Sequence, residues 1–162
     1  MTLTLRTADL ETLDAAVAGD EALSLALGVE VAEGWAVFTE ALPAVREQRA
    51  ADPDSGRWGA RLFLLGDPPT LVGWGGFKGP PADGVVELGY SIAPAYRERG
   101  LATEATRAMV ADAFSDDAVT AVIAHTLPES NASTRVLEKA GFAFDGDDAE
   151  DGRAVWRWIV RR

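Results

Sequence analysis

The spacing of apolar positions changes along this chain, and each change marks an element. Residues 2–6 alternate threonine and leucine, which predicts a first strand. Thr7, Ala8 and Asp9 then offer caps for a short helix over 10–18, and a second short helix is predicted over 20–27. Over 33–50, Trp35, Phe38, Leu42 and Val45 recur at helical spacing and predict a longer amphipathic helix. Pro43 falls inside it and predicts a kink or a break. Residues 52–56 form a turn cluster.

The period then shortens. Residues 58–65, 70–77 and 85–92 read as three strands, with turns at 66–69 and 79–84. Connections this short make neighbouring strands antiparallel. Residues 101–114 follow as a helix, with Leu101, Ala105, Ala108 and Met109 on one face, and 119–126 is an apolar strand. A helical crossover between two strands makes that pair parallel. A helix over 131–140 is ended by Gly141. Strands at 142–144 and 154–160 finish the chain, with the acidic residues 145–152 as the loop between them. The expectation is one domain, residues 1–162, of the α+β (α/β three-layer) class with a mixed sheet.

Composition narrows the function classes. Hydrophobic residues make up 48% of the chain, enough for a real core. No apolar run is long enough to span a bilayer, and residues 1–6 lack the features of a signal peptide. The absence of cysteine excludes disulfides, thiolate metal sites and a cysteine nucleophile. A cytoplasmic protein is the simplest expectation. The formal net charge of −11 repels nucleic acid and anionic membrane, so neither is an expected partner. It suits a cationic substrate such as an amine or a basic peptide, or serves solubility alone.

Candidate chemistry begins at the loop Arg97-Glu98-Arg99-Gly100-Leu101-Ala102, which opens from a strand directly into a helix. First-turn amides lack intrahelical partners and the helix dipole is positive there, so such a loop suits a phosphate. Many strand-loop-helix joins carry glycine and arginine without a ligand, so the neighbouring residues matter. On the preceding strand, Glu87, Gly89 and Ser91 share one face by alternation. A glutamate there borders a cavity and is a candidate general base; the plainer reading is a carboxylate paired with an arginine, or one that only binds substrate. His125, the single histidine, has no metal spacing and is expected to be a strand-end residue with a satisfied ring. Tyr90 and Tyr96 read as packing groups. Trp35, Trp58 and Trp74 are candidates to line an acceptor pocket, with core packing the default for all five tryptophans. The glycine-rich stretch 73–79 lacks the ending of a phosphate-binding loop, and residues 145–148 lack the spacing of a calcium loop and read as a solvated hairpin tip.

Two stretches together carry a family resemblance. Glu87-Leu88-Gly89-Tyr90-Ser91-Ile92 through Arg97-Glu98-Arg99-Gly100-Leu101-Ala102 resembles the acetyl-CoA motif of the GNAT superfamily of N-acyltransferases. Leu127-Pro128-Glu129-Ser130-Asn131-Ala132-Ser133-Thr134-Arg135-Val136-Leu137-Glu138-Lys139-Ala140-Gly141-Phe142 is similar to its second motif, in the form of the ribosomal-protein-alanine acetyltransferase branch. The resemblance implies a mostly antiparallel mixed sheet with helices on both faces, splayed between a parallel strand pair, and acetyl-CoA as co-substrate in the gap. It implies that the pyrophosphate rests on amides of residues 99–103 (Arg99, Gly100, Leu101, Ala102, Thr103) with help from Arg97. The pantetheine arm would run along the backbone of Ser91, Ile92 and Ala93, with the Ile92 amide near the thioester oxygen and Asn131 facing the arm. Glu87 is implied as base and Ser133 as the group beside the departing thiolate. Leu137 occupies the position where many members of the family carry a tyrosine acid. The implied reaction is direct attack by a primary amine, of a small molecule or a protein N-terminus, in a ternary complex. No metal is implied, and a homodimer is common in the family. A non-catalytic acyl-CoA sensor of the same fold is the alternative.

Overall fold

The computed structural model describes the backbone of residues 1–162 and the side chains of all but residues 53–55. The elements run β1 (Leu3–Thr7), α1 (Leu10–Ala18), α2 (Asp20–Leu27), β2 (Glu30–Val31), α3 (Leu42–Ala51), β3 (Ala60–Leu65), β4 (Thr70–Phe77), β5 (Val85–Ile92), α4 (Leu101–Phe114), β6 (Ala121–Thr126), α5 (Ala132–Lys139), β7 (Ala143–Glu150) and β8 (Arg153–Arg161). Short 3₁₀ turns cover Thr39–Ala41, Pro53–Trp58 and Pro94–Tyr96. No helix among the described residues is long and apolar enough to cross a membrane.

The eight-stranded sheet has the order β1-β3-β4-β5-β6-β8-β7, with β2 set beside the start of β4. It is mostly antiparallel. The parallel pairs are the two-residue β2 on β4, and β5 on β6. One core layer lies under α4 and α5 and includes Val86, Leu88, Met109 and Leu137; the other lies under the N-terminal helices and includes Leu13, Leu23, Trp35 and Leu71. Burial on both faces explains why β3 is buried at every position. The glycines of β4 have a packing role. A Cβ at Gly73 would collide with the Ser91 carbonyl and one at Gly75 with the Gly89 carbonyl, so their absence lets β4 lie close on β5.

Two expectations are corrected. The helix predicted over 33–50 is shorter. Residues 33–41 form turns, and α3 begins one residue before Pro43, in the first turn where a missing N–H costs nothing. Trp35 and Phe38 are therefore not on a helix; Trp35 is buried and Phe38 exposed. The acidic stretch 145–152 is not a loop. Most of it belongs to β7, which joins β8 through Asp151 and Gly152, both left-handed (φ 51° and 76°), as a two-residue hairpin requires. Acidic side chains on this edge strand discourage pairing with a further strand. Phe144 anchors it by edge-on contacts with Trp156 and Trp158, at 5.2 and 5.7 Å between ring centres.

Candidate active site

The sheet opens where β5 and β6 part. Their register runs from Val85 opposite Ala121 to Glu87 opposite Ile123 and stops. Beyond Glu87, β5 keeps only β4 as a neighbour. Ala93 donates its N–H to Val72 of β4 at 2.7 Å. Since alternate residues turn their amides to opposite sides, Ile92 turns its N–H and carbonyl away from β4 into the opening. Of the three residues expected to meet an extended ligand by backbone, Ile92 therefore presents its amide. The Ala93 amide is committed to β4, which corrects that part of the expectation. The Ser91 hydroxyl donates to the Trp35 carbonyl at 3.4 Å.

The loop at the end of the opening is held from within. Arg97 Nε donates to the Ile92 carbonyl at 3.0 Å. Arg99 donates to the Ala95 carbonyl at 3.2 Å and stacks its guanidinium 5.0 Å from the centre of the Tyr96 ring. Each guanidinium keeps further N–H groups beyond these bonds. Gly100 caps α4 in the left-handed conformation, φ 76°, and a Cβ there would meet nothing within 4 Å. Glycine is needed for the turn, not for space. Leu101 and Thr103 are buried and Ala102 is half-buried, so these residues offer first-turn amides and not side chains. A hollow of about 420 Å³ lies at this turn, lined also by Glu104 and Arg107 of α4 and Lys139 of α5. Those two basic residues escaped the sequence reading, although Arg107 follows Thr103 by one helical turn.

Across the opening, α5 begins with a reciprocal cap. Asn131 Oδ1 accepts from the Thr134 amide and Thr134 Oγ1 from the Asn131 amide, each at 3.0 Å. The Asn131 carbonyl oxygen of the side chain is thus a helix cap. Tyr90 spans the gap from β5 and donates its hydroxyl to the Ser133 carbonyl at 3.2 Å. Burial pushes the Tyr90 hydroxyl pKa up, against the smaller effect of that bond, so it stays a neutral donor. Ser133 itself is half-buried at the start of the helix.

Glu87 lies at the root of the opening within a charged cluster. Its carboxylate bonds His125 Nδ1 and pairs with Lys78 Nζ at 3.0 Å. Lys78 reaches Glu150 at 2.9 Å, and His125 Nε2 reaches Asp148 at 2.9 Å. The partner of Glu87 is therefore a lysine and a histidine, not an arginine. An imidazole bonded to a carboxylate through both nitrogens needs a proton on each. Burial opposes that charge. The bonds to Asp148 and Glu87, with the fields of Glu87 and Glu150, outweigh it and raise the His125 pKa above its usual value. Burial also works against the Lys78 charge, and Glu150 and Glu87 more than offset it. Ligand atoms of Glu87, His125 and Glu150 lie within 4.8 Å of one another, but the Lys78 ammonium already sits between the two carboxylates. The satisfied ring expected for His125 is present. Its partner Asp148, like Glu150 which meets Lys78, lies in the acidic stretch that reads as a loop in the sequence. As alternate residues of a strand they share one face.

On the face of β5 that carries Glu87, Gly89 and Ser91 lies a cavity of about 290 Å³ against α1 and α3. Trp58, Trp74, Phe77, Phe38 and Val45 give it an apolar wall, and Gly89 and Ser91 of β5 form part of its floor. Of the three tryptophans considered for a pocket, Trp58 and Trp74 line it. Trp35 packs edge-on behind Trp74, 5.8 Å between ring centres.

Residues 2–143 match the family model described as the acetyltransferase (GNAT) domain. The chain is 30% identical over 151 residues to YjdG of Bacillus subtilis (strain 168), described as an uncharacterized N-acetyltransferase, covering 91% of this chain and 90% of that protein. Its fold is similar to a GNAT-family acetyltransferase of Bacillus anthracis, with a TM-score of 0.67 at 19% identity over 99% of this chain and 95% of the other. It is also similar to the aminoglycoside acetyltransferase AAC(6')-Ib in complex with coenzyme A and kanamycin, with a TM-score of 0.71 at 20% identity over 99% of this chain and 95% of the other.

Proposed function

The chain belongs to the GNAT acetyltransferase family, and from that premise we propose that it moves an acetyl group from acetyl-CoA to a primary amine by direct attack in a ternary complex. One observation carries the reading. Residues 89–92 of β5 form, on one edge, the open backbone of the splayed sheet and, on one face, the floor of an apolar cavity. A thioester along the edge and an amine in the cavity meet over the same strand.

The residues fit that division of labour. First-turn amides of Leu101, Ala102 and Thr103, with Arg97, Arg99 and the nearby Arg107 and Lys139, supply positive potential for a diphosphate in a chain of net charge −11. The Ile92 N–H is a donor for charge developing on the thioester oxygen. The amine nitrogen forms the new C–N bond as the C–S bond breaks. The thiolate leaves with its electron pair, accepts a hydrogen bond from the Ser133 hydroxyl and takes up a proton from water. The proton shed by the amine goes to Glu87, directly or through one water. His125 and Lys78 hold Glu87 in place and share its charge.

AAC(6')-Ib, a fold neighbour, binds kanamycin, which supports an amine as acceptor class here. The test is free thiol release from acetyl-CoA by the purified chain across a panel of amines. Thiol release that depends on the amine and is strongly lowered at neutral pH in Glu87→Gln is expected. Tight coenzyme A binding with no thiol release for any amine overturns the proposal in favour of an acyl-CoA sensor.

A further inference from the structure

The lining of the cavity on β5 specifies more than an amine. We propose that it selects a compact primary amine with a single amino group and an aromatic or branched apolar body, and that it rejects polycations. This rests on the acetyl-transfer reading above and names its acceptor.

The wall formed by Trp58, Trp74, Phe77, Phe38 and Val45 stabilises an apolar body by burial and by ring contacts. At about 290 Å³ the cavity stands at the small end of ligand sites, which run to roughly 1,000 Å³, so it suits a compact molecule. Its floor is bare peptide: a Cβ at Gly89 would meet nothing within 4 Å, so a ring has room to lie flat there.

Charge decides the rest. Among the described residues that line the cavity, the ionised ones are Arg49 and Lys78, and neither aspartate nor glutamate is present. The nearest carboxylates on that side, Glu87 and Glu150, are already bonded to the Lys78 ammonium at 3.0 and 2.9 Å. A second ammonium on the acceptor therefore meets no aspartate or glutamate among the described residues that line the cavity. Burying an unpaired charge is costly. A single amine escapes the cost by losing its proton, which desolvation favours, and the neutral form is the nucleophile. A polyamine must neutralise every amino group it brings in. The net charge of −11 attracts cations from a distance, but it places no carboxylate among the described residues that line the cavity.

The experiment measures thiol release by the full chain at saturating acetyl-CoA with 2-phenylethylamine, tryptamine, spermidine, kanamycin and a hexapeptide beginning with phenylalanine. The aromatic monoamines are expected to exceed spermidine and kanamycin in kcat/KM by about tenfold or more, the scale at which pockets discriminate. Phe38 is 62% exposed, so Phe38→Ala leaves the core intact. It should lower kcat/KM for 2-phenylethylamine chiefly through KM. Val45→Asp places a carboxylate in the wall and should narrow the preference over spermidine. Preference of the unaltered chain for spermidine or kanamycin overturns the substrate class while leaving acetyl transfer standing. Preference for the hexapeptide overturns it too, and assigns the cavity to the first side chain of a protein. No thiol release with any amine, with acetyl-CoA bound, overturns acetyl transfer itself and the acceptor class with it.

Discussion

Glu87 and His125 bond to each other at the point where β5 and β6 separate: Glu87 faces Ile123 in the last parallel pair, and His125 lies two residues further along β6. The base of the proposed reaction and the seam of the sheet are one place. In the proposed reaction the carboxylate that takes the proton is therefore bonded to an imidazole and does not stand alone.

For that reason Glu87→Gln is expected to lower kcat by about 10²-fold at neutral pH, the lower range for loss of a general base. Activity should recover in part at high pH, where more amine is neutral. His125→Gln should lower kcat less and displace the pH profile, because it alters the field on Glu87 without removing the carboxylate. A pH profile of Glu87→Gln that parallels the unaltered chain excludes Glu87 as base.

The His125 pKa also predicts a stability effect. A group whose pKa is higher in the folded chain stabilises it fully below the unfolded value, about 6.5 for histidine. That contribution is lost as pH rises through the folded value. The groups facing the imidazole are Glu87 from β5, Asp148 and Glu150 from β7, and Lys78 at the end of β4. Urea unfolding from pH 6 upward should therefore show a loss of stability that His125→Gln removes. An equal slope in both proteins contradicts the cluster.

Gly100 separates conformation from space. Its φ of 76° disfavours a Cβ, yet no atom stands in the way of one. Gly100→Val should cost about 1–2 kcal/mol of backbone strain, to be relieved by shifting the first-turn amides. The Kd for coenzyme A should rise by about tenfold. Gly100→Asn, which tolerates this conformation, should bind more nearly as the unaltered chain does. Titration calorimetry with coenzyme A distinguishes the two.

Arg61 is buried and donates to the carbonyls of Gly56, Arg57 and Gly59 and to Asp112 of α4. Arg61→Ala leaves several of these acceptors without a donor and should cost about 2–4 kcal/mol in denaturant unfolding. Arg61→Lys should restore little of it, since one ammonium cannot reproduce the guanidinium fork.

What the sequence made legible tracks how local the signal is. The 97–103 loop, the start of α4 and the Asn131 cap each rest on residues within a few positions of one another, and the fold preserves them. β7 was illegible because its alternation is masked: nearly all its residues are exposed or polar, and pairing with β8 makes it a strand. Pro43 misled in a different way. The same residue breaks a helix interior or starts a helix, and only the turn before it tells which. The cluster around Glu87 draws on β4, β5, β6 and β7, so no spacing along the chain could announce it.

The parting of β5 from β6 leaves two halves of one sheet stitched by three residue pairs, Val85 with Ala121, Val86 with Val122 and Glu87 with Ile123. A molecule laid along the free edge of β5 acts as a missing rung between them. Its supply then governs endurance as well as turnover. The unliganded chain should breathe along this seam, and amide exchange at the seam should slow when coenzyme A is bound, by the mass action of any ligand that favours the closed form.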